Sequence, residues 1–486
     1  MRVVSRLLVP LVAAGVSVPL ALTAVAGPRT AAPTFQQYTS PVGVDLVTGA
    51  PEPVAGVIQR LKENPAGVPV FGVYSQTGIG DKCGEPTLAV DPRTNEVLYQ
   101  CGLQTLLVNR FGKGGKAVWT PVQPPVEGLQ SSDPILRQDR STNRVWVNQL
   151  MPQGCSVQAY SDDFGRSWTQ APVGCALGIS FDHQTIGAGK PTTLVTTPLY
   201  PNVLYYCTND LATLNCGVSL DGGLTFGPSH PVFTDPGESC SPIIGHIKSA
   251  PDGTTYVMPD GCDDEAGDEA VFVTTDNALT WTKRSIPHAT VGDAGHPSLG
   301  VGSDGTLYAS WGSSDNAEGG GRVYVSVSRD RGAHWTLPRP LGKELGVRAS
   351  RFPIAVAGDG DRAAVAYLGS TNTGNPAKNK TYRGTWRMYV SYTYDRGRTW
   401  KTYDATPGSP VQVGSVCTGG TSCVTGPDSD RNLLDFNDMV LDGKGRVVIA
   451  FADGCLKAKG CTTHDRMRKG AILWQQGGKS LLRKFD

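Results

Sequence analysis

Residues 161–168 read Ser-Asp-Asp-Phe-Gly-Arg-Ser-Trp. The frame is Ser/Thr, any, Asp, any, Gly, any, Ser/Thr, aromatic, carried here by Ser161, Asp163, Gly165, Ser167 and Trp168. It returns as Ser219, Asp221, Gly223, Thr225 and Phe226, then as Thr274, Asp276, Ala278, Thr280 and Trp281. A fourth copy is Ser328, Asp330, Gly332, His334 and Trp335, and a fifth is Thr393, Asp395, Gly397, Thr399 and Trp400. Successive Asp residues lie 58, 55, 54 and 65 positions apart. A motif at near-constant spacing of this size marks a structural repeat. Each copy has the chemistry of a hairpin bend. A carboxylate and hydroxyls satisfy backbone N–H groups, Gly supports positive φ, and the aromatic ring has a large surface to bury.

The sequence around each bend supplies the remaining strands. His296 to Val301, the turn Gly302 to Gly305, Thr306 to Trp311 and the hairpin Arg322 to Leu337 form one four-stranded unit. Innermost strands start near Glu85, Asp133, Asp182, Gly245, His296, Phe352 and Asp435. The expected fold is therefore all-β: a β-propeller of seven four-stranded blades, or six if an end unit is only an extension. The first and last units lack the bend motif. Val68 to Tyr74 and Ala471 to Trp474 are strand-like runs near the two ends, so one terminus is expected to complete the other's blade and remove an open edge.

The bends resemble the Asp boxes of the sialidase (BNR-repeat) propellers, over residues from about 80 to 475. In that family the boxes are fold staples. The resemblance implies an extracellular glycoside hydrolase that grips a substrate carboxylate with an arginine trio. It also implies a Tyr nucleophile assisted by Glu, and an Asp acid/base. The family's early Phe/Tyr-Arg-Ile-Pro signature is missing, and the nearest string is Arg351-Phe352-Pro353 in another unit. No catalytic residue is carried over from the family.

Composition narrows the functions. Lys plus Arg is 44 against 43 for Asp plus Glu. That balance excludes a nucleic-acid binder held by a broad basic field. Residues 1–26 read as a signal peptide: Arg2 and Arg6, an apolar Leu7 to Val25, and Ala24-Val25-Ala26 before Gly27. The mature chain has no membrane span and is expected to be a secreted monomer. Residues 27–67 read as a Pro/Gly-rich lead-in with a short helix at Val54 to Lys62, and 68–486 as one propeller.

An exported chain with twelve cysteines is expected to form disulfides. Sequential pairing gives Cys83 with Cys101, Cys155 with Cys175, Cys207 with Cys216, Cys240 with Cys262, Cys417 with Cys423 and Cys455 with Cys461. No CxxC pair occurs, so no cysteine metal site is expected. Strand parity puts the bends on one face of the ring and all twelve cysteines on the other. The strand-opening residues lie on the cysteine face and point toward the axis.

Those residues form the candidate site. Asp133, Asp182, Asp435 and Glu85 are the candidate acids, Arg351 and Arg431 the anion ligands, and His183 and His296 the ligand-contacting or proton-transferring groups; His246 also opens a strand. No cofactor is expected. The acidic loop Asp260, Asp263, Asp264, Glu265, Asp268 and Glu269 is the calcium candidate, and it lacks EF-hand spacing. The reading is an exo-glycosidase on terminal sugars, anionic ones included. The alternative is a noncatalytic propeller that binds glycan or protein.

Overall fold

The computed structural model describes residues 67–76, 83–112, 115–126, 133–151, 155–172, 182–193, 199–209, 213–234, 240–263, 265–292, 294–313, 321–377, 381–419, 423, 433–455 and 469–486, with the strand 38–39. The signal peptide, the Val54 to Lys62 helix and Arg431 lie outside them.

Seven antiparallel blades form the propeller. Their innermost strands, in order, are Thr87–Val90, Pro134–Gln138, Asp182–Gly189, Lys248–Ser249, Ser298–Val301, Ala349–Ala357 and Asp438–Leu441. Seven is thus the blade number. Each blade alternates up and down from axis to rim, as short apolar runs joined by tight turns require. In blade 5, Gly302 N–H donates to the Thr306 carbonyl at 2.8 Å and Thr306 N–H to Asp304 Oδ1 at 3.0 Å, closing the turn between its two inner strands.

Ring closure comes from the N-terminal side. Val70–Ser75 pairs with Lys469–Gly477 and so becomes the outer strand of blade 7. Tyr38–Thr39 pairs with Trp119 and Val118 at the outer edge of blade 1. The stretch read as a lead-in therefore contributes a short fifth strand there.

The five bends join the two outer strands of blades 2 to 6. In the first, Gly165 N–H donates to Ser161 Oγ at 2.7 Å, and Ser167 N–H and Oγ donate to the Asp163 carboxylate at 2.7 and 2.6 Å. Gly165 has φ +86°, and a Cβ on it would lie 2.6 Å from Leu98 Cδ2. In the third bend Ala278 takes φ +64° instead. In the fourth, His334 Nδ1 replaces the hydroxyl, 2.6 Å from Asp330 Oδ2, and holds that carboxyl down at about 2.

Each closing ring packs toward the preceding blade. Trp168 joins the apolar layer between blades 1 and 2, Phe226 that between blades 2 and 3, and Trp281 that between blades 3 and 4. Trp335 and Trp400 repeat the placement at the next two seams. Blade 7 has no such bend, and the C-terminal tail takes the place of its ring. Leu481 is fully buried in the layer between blades 6 and 7, its N–H donating to Gly445 O and its carbonyl accepting from Asp359 N–H, both at 2.9 Å. Arg362 donates to the Asp486 carboxylate at 2.8 and 2.7 Å, fixing the tail beyond it.

Candidate functional site

Inner strands are tied sideways by one recurring device. A backbone N–H of one blade donates to a short polar side chain of its neighbour. Leu136 N–H reaches Thr87 Oγ1 at 2.9 Å, Ile247 N–H reaches Thr185 Oγ1 at 3.0 Å, and Ala355 N–H reaches Ser298 Oγ at 3.0 Å. At the closure Leu88 N–H donates to Asp438 Oδ2 at 3.2 Å. These bonds satisfy backbone groups that a short inner strand would leave buried and unpaired, and they hold the strand-opening residues in register around the axis.

Several of those residues have unusual backbones. Glu85, His183 and Phe352 have φ of 50°, 51° and 58°. Positive φ on non-glycine residues is sparse and costs strain, and such positions cluster where side chains must be aimed. Glycine serves where there is no room: a Cβ on Gly245 would lie 2.0 Å from the Pro297 carbonyl.

The starts of blades 3 to 7 converge on a pocket. It is lined by His183, His246, His296, Phe436 and Asn437, with Ile244, Gly245, Pro297, Ser298, Pro353 and Ile354. The His183 and His296 rings are 3.8 Å apart between centroids. Phe436 stands among the three imidazoles, 4.8 Å from His246, 6.1 Å from His183 and 6.5 Å from His296. His183, His296 and Asp435 each offer one ligand atom, all within 4.8 Å of one another. Asp133 is buried beside them, its Oδ2 accepting from His183 N–H at 3.3 Å and its carbonyl from the Gln184 amide.

Arg137 and Lys248 stand on the inner strands of blades 2 and 4, close to Asp438. Arg137 Nη1 donates to Asp438 Oδ2 at 2.7 Å. Lys248, on the inner strand of blade 4, is lowered to about 8, chiefly by burial and then by Arg137, against the attraction of Asp438. Burial also holds the His246 imidazole well below its ordinary value, with Arg137, Lys248, His183 and His296 acting in the same direction. His246 is therefore neutral at neutral pH and able to accept a proton or a hydrogen bond.

The candidates from sequence divide. Asp133, His183, His296 and Asp435 come together at the axis. Glu85 is buried at the start of blade 1. Asp182 opens the inner strand of blade 3 and pairs with Asn209, and its side chain lies outside the described ones. Arg351 is fully buried and donates to the Val416 and Ser350 carbonyls at 3.2 and 2.9 Å, beneath the Trp386 ring. In the acidic loop Asp264 is outside the described residues, and burial, with Asp260 and Asp268, pushes the Glu269 carboxyl well up. Phe436, Arg137 and Lys248 escaped the sequence reading. The one available signal was two cations inside strands that otherwise read as core.

Among the described residues four disulfides have both partners in view: Cys83–Cys101, Cys207–Cys216, Cys240–Cys262 and Cys417–Cys423, all as expected from sequential pairing. Cys455 is also disulfide-bonded; Cys175 and Cys461 and the Cys155 side chain are outside the described set. Such bonds fit an extracellular chain. Among the described residues no helix is long and apolar enough to cross a membrane.

No protein-family model and no curated protein matches the chain. Solved structures do. A GH74 enzyme of Niastella koreensis is 15% identical with a TM-score of 0.46, over 78% of this chain and 53% of that one. This chain thus spans about half of that enzyme's length. The intramolecular trans-sialidase of Ruminococcus gnavus is 12% identical with a TM-score of 0.39, over 82% and 96%. The NanB sialidase of Streptococcus pneumoniae is 10% identical with a TM-score of 0.41, over 84% and 86%. Likeness at this level concerns the path of the chain and not its chemistry.

Proposed function

We propose that this protein is a secreted, sialidase-like propeller that acts on glycans at its axial pocket, as an exo-glycosidase on terminal sugars. The observation that carries the reading is the convergence of His183, His246 and His296 around Phe436, with Asp435 within 4.8 Å of His183 and His296 and Asp133 accepting from the His183 N–H. Phe436 offers an apolar ring for a sugar face, and Asn437 with the imidazoles offers hydrogen bonds to hydroxyls. Proton transfer is assigned to the axial carboxyls Asp133 and Asp435, groups of the kind general acid–base catalysis uses. Lys248, on the inner strand next to His246, favours an anionic sugar. Residues 1–26 would be removed on export.

The test is hydrolysis of a fluorogenic panel of sialosides, uronides and neutral glycosides by the mature chain. Turnover on one class, lost by at least about 100-fold in Asp133→Asn, is the expected result. No turnover on any member rejects the enzyme. A noncatalytic glycan-binding propeller is the second reading. It is favoured by the absence of arginine and tyrosine from the described pocket lining. Glycan-array binding without turnover selects it, and neither binding nor turnover removes both.

A further inference from the structure

We infer that His183, His296 and Asp435 form a site for a divalent transition cation, zinc in the first instance, at the mouth of the propeller axis. The inference goes beyond the glycan reading and does not depend on it.

Three observations carry it. The first is the donor set. Two imidazole nitrogens and a carboxylate oxygen, one from each residue, lie within 4.8 Å of one another. Ligands on a tetrahedral zinc with bonds of about 2.0–2.1 Å sit roughly 3.3 Å apart, so small side-chain rotations bring the three into bonding range. Two nitrogens and one carboxylate leave a position open, the pattern of catalytic rather than structural zinc. Imidazole also selects zinc-like ions over calcium and magnesium.

The second observation is how the ligands are delivered. They come from the starts of blades 3, 5 and 7, so only ring closure assembles them. His183 is held at φ +51°, and its N–H is fixed by Asp133. The starts of blades 5 and 7 are pressed together: a Cβ on Gly295, next to His296, would lie 2.9 Å from the Asp435 carbonyl. A strained, closely packed backbone that aims three donors at one point resembles a preorganised site more than a loop packed by chance.

The third is Asn437. It lines the same pocket, is 3% exposed, and its amide Nδ2 has no acceptor among the described residues. A buried donor left over at the rim calls for a further acceptor in the pocket, such as a water or anion held on the cation.

Titration calorimetry on chelator-treated full-length mature protein with Zn2+ alone, without any sugar, tests the site. One equivalent is expected to bind. Asp435→Asn and His296→Gln should each weaken binding by more than about tenfold, since even outer-shell losses cost about 10–100-fold. Co2+ should give a visible ligand-field spectrum that Asp435→Asn changes. Absence of Zn2+ binding by the wild type overturns the inference. So does wild-type affinity in both variants, which would place the ion elsewhere, or calcium binding as tight as zinc. Because the wild-type result stands alone, a variant that fails to fold leaves the test intact. Because no substrate is present, its outcome is separate from that of the glycosidase assay.

Discussion

Arg137 Nη1 and Asp438 Oδ2 lie 2.7 Å apart, 301 residues from each other in sequence, and link the inner strands of blades 2 and 7. The same carboxylate accepts from Leu88 N–H of blade 1, so one buried group spans the seam where the ring closes. Both side chains are shielded, at 11% and 1% exposure. Removing one partner strands the other charge, which costs more than the pair contributes. Arg137→Met should destabilise by about 3 kcal/mol or more in denaturant unfolding. Adding Asp438→Asn should restore most of the loss. An unchanged midpoint in the single variant would show that the pair does not secure the closure.

Leu481 stands in for the missing aromatic ring of blade 7. It is fully buried against blades 6 and 7. Leu481→Ala should cost about 2–4 kcal/mol, as for other buried leucines. Leu482→Ala, at the next and more accessible position, should cost much less. Equal effects would mean the tail is not part of the core.

The first bend is expected to be intolerant at its left-handed position, where Leu98 leaves no room for the Cβ that Ala278 carries in the third. Gly165→Ala adds a Cβ 2.6 Å from Leu98 Cδ2 at φ +86°. The backbone cost alone is about 1–2 kcal/mol, and the clash adds to it. Thermal unfolding of this variant should begin well below that of the wild type. Parallel melting curves would contradict the reading of the bend as a fold staple.

Asp453 predicts a pH signature. It is buried at the end of a central blade 7 strand, and burial raises its carboxyl to about 7 despite the Cys455 N–H and Lys469. The unfolded value is about 3.9. Between the two the folded state holds more protons, so stability falls as pH rises through that window, by roughly 4 kcal/mol at most. Asp453→Asn keeps an acceptor for Cys455 N–H, found at 2.9 Å from Oδ1, and removes the titration. Its unfolding free energy should vary less than the wild type's between about pH 5 and pH 8. Identical pH slopes would refute the assignment.

Opening the disulfides should weaken the cysteine face. Replacing Cys240 and Cys262 by Ser frees a loop of 22 residues, against 9 for Cys207 and Cys216. The chain-entropy model gives losses of roughly 3 and 2.5 kcal/mol. Calorimetric melting of the two double variants checks both, and no loss in either would mean that packing alone holds these loops.

Much of this molecule was legible in the chain. The bend motif is local chemistry: Asp163, Ser161 and Ser167 bond within seven residues, so their spacing had to appear as a pattern. Period-two apolar runs gave the strands. The starts at Asp133 and His296 are marked locally as well, by the proline that follows each, Pro134 and Pro297.

What the chain determined by itself was therefore the blade: its turns, its strands and its repeat. Tertiary closure alone decided which residues meet. Arg351 and His296 read alike as strand-opening groups, yet one guanidinium ends under Trp386 bonded to carbonyls while the other ring faces His183. Phe436, Arg137 and Lys248 carried no motif. Their roles come from long-range neighbours in other blades, and a linear pattern encodes distance along the chain, not distance across an axis.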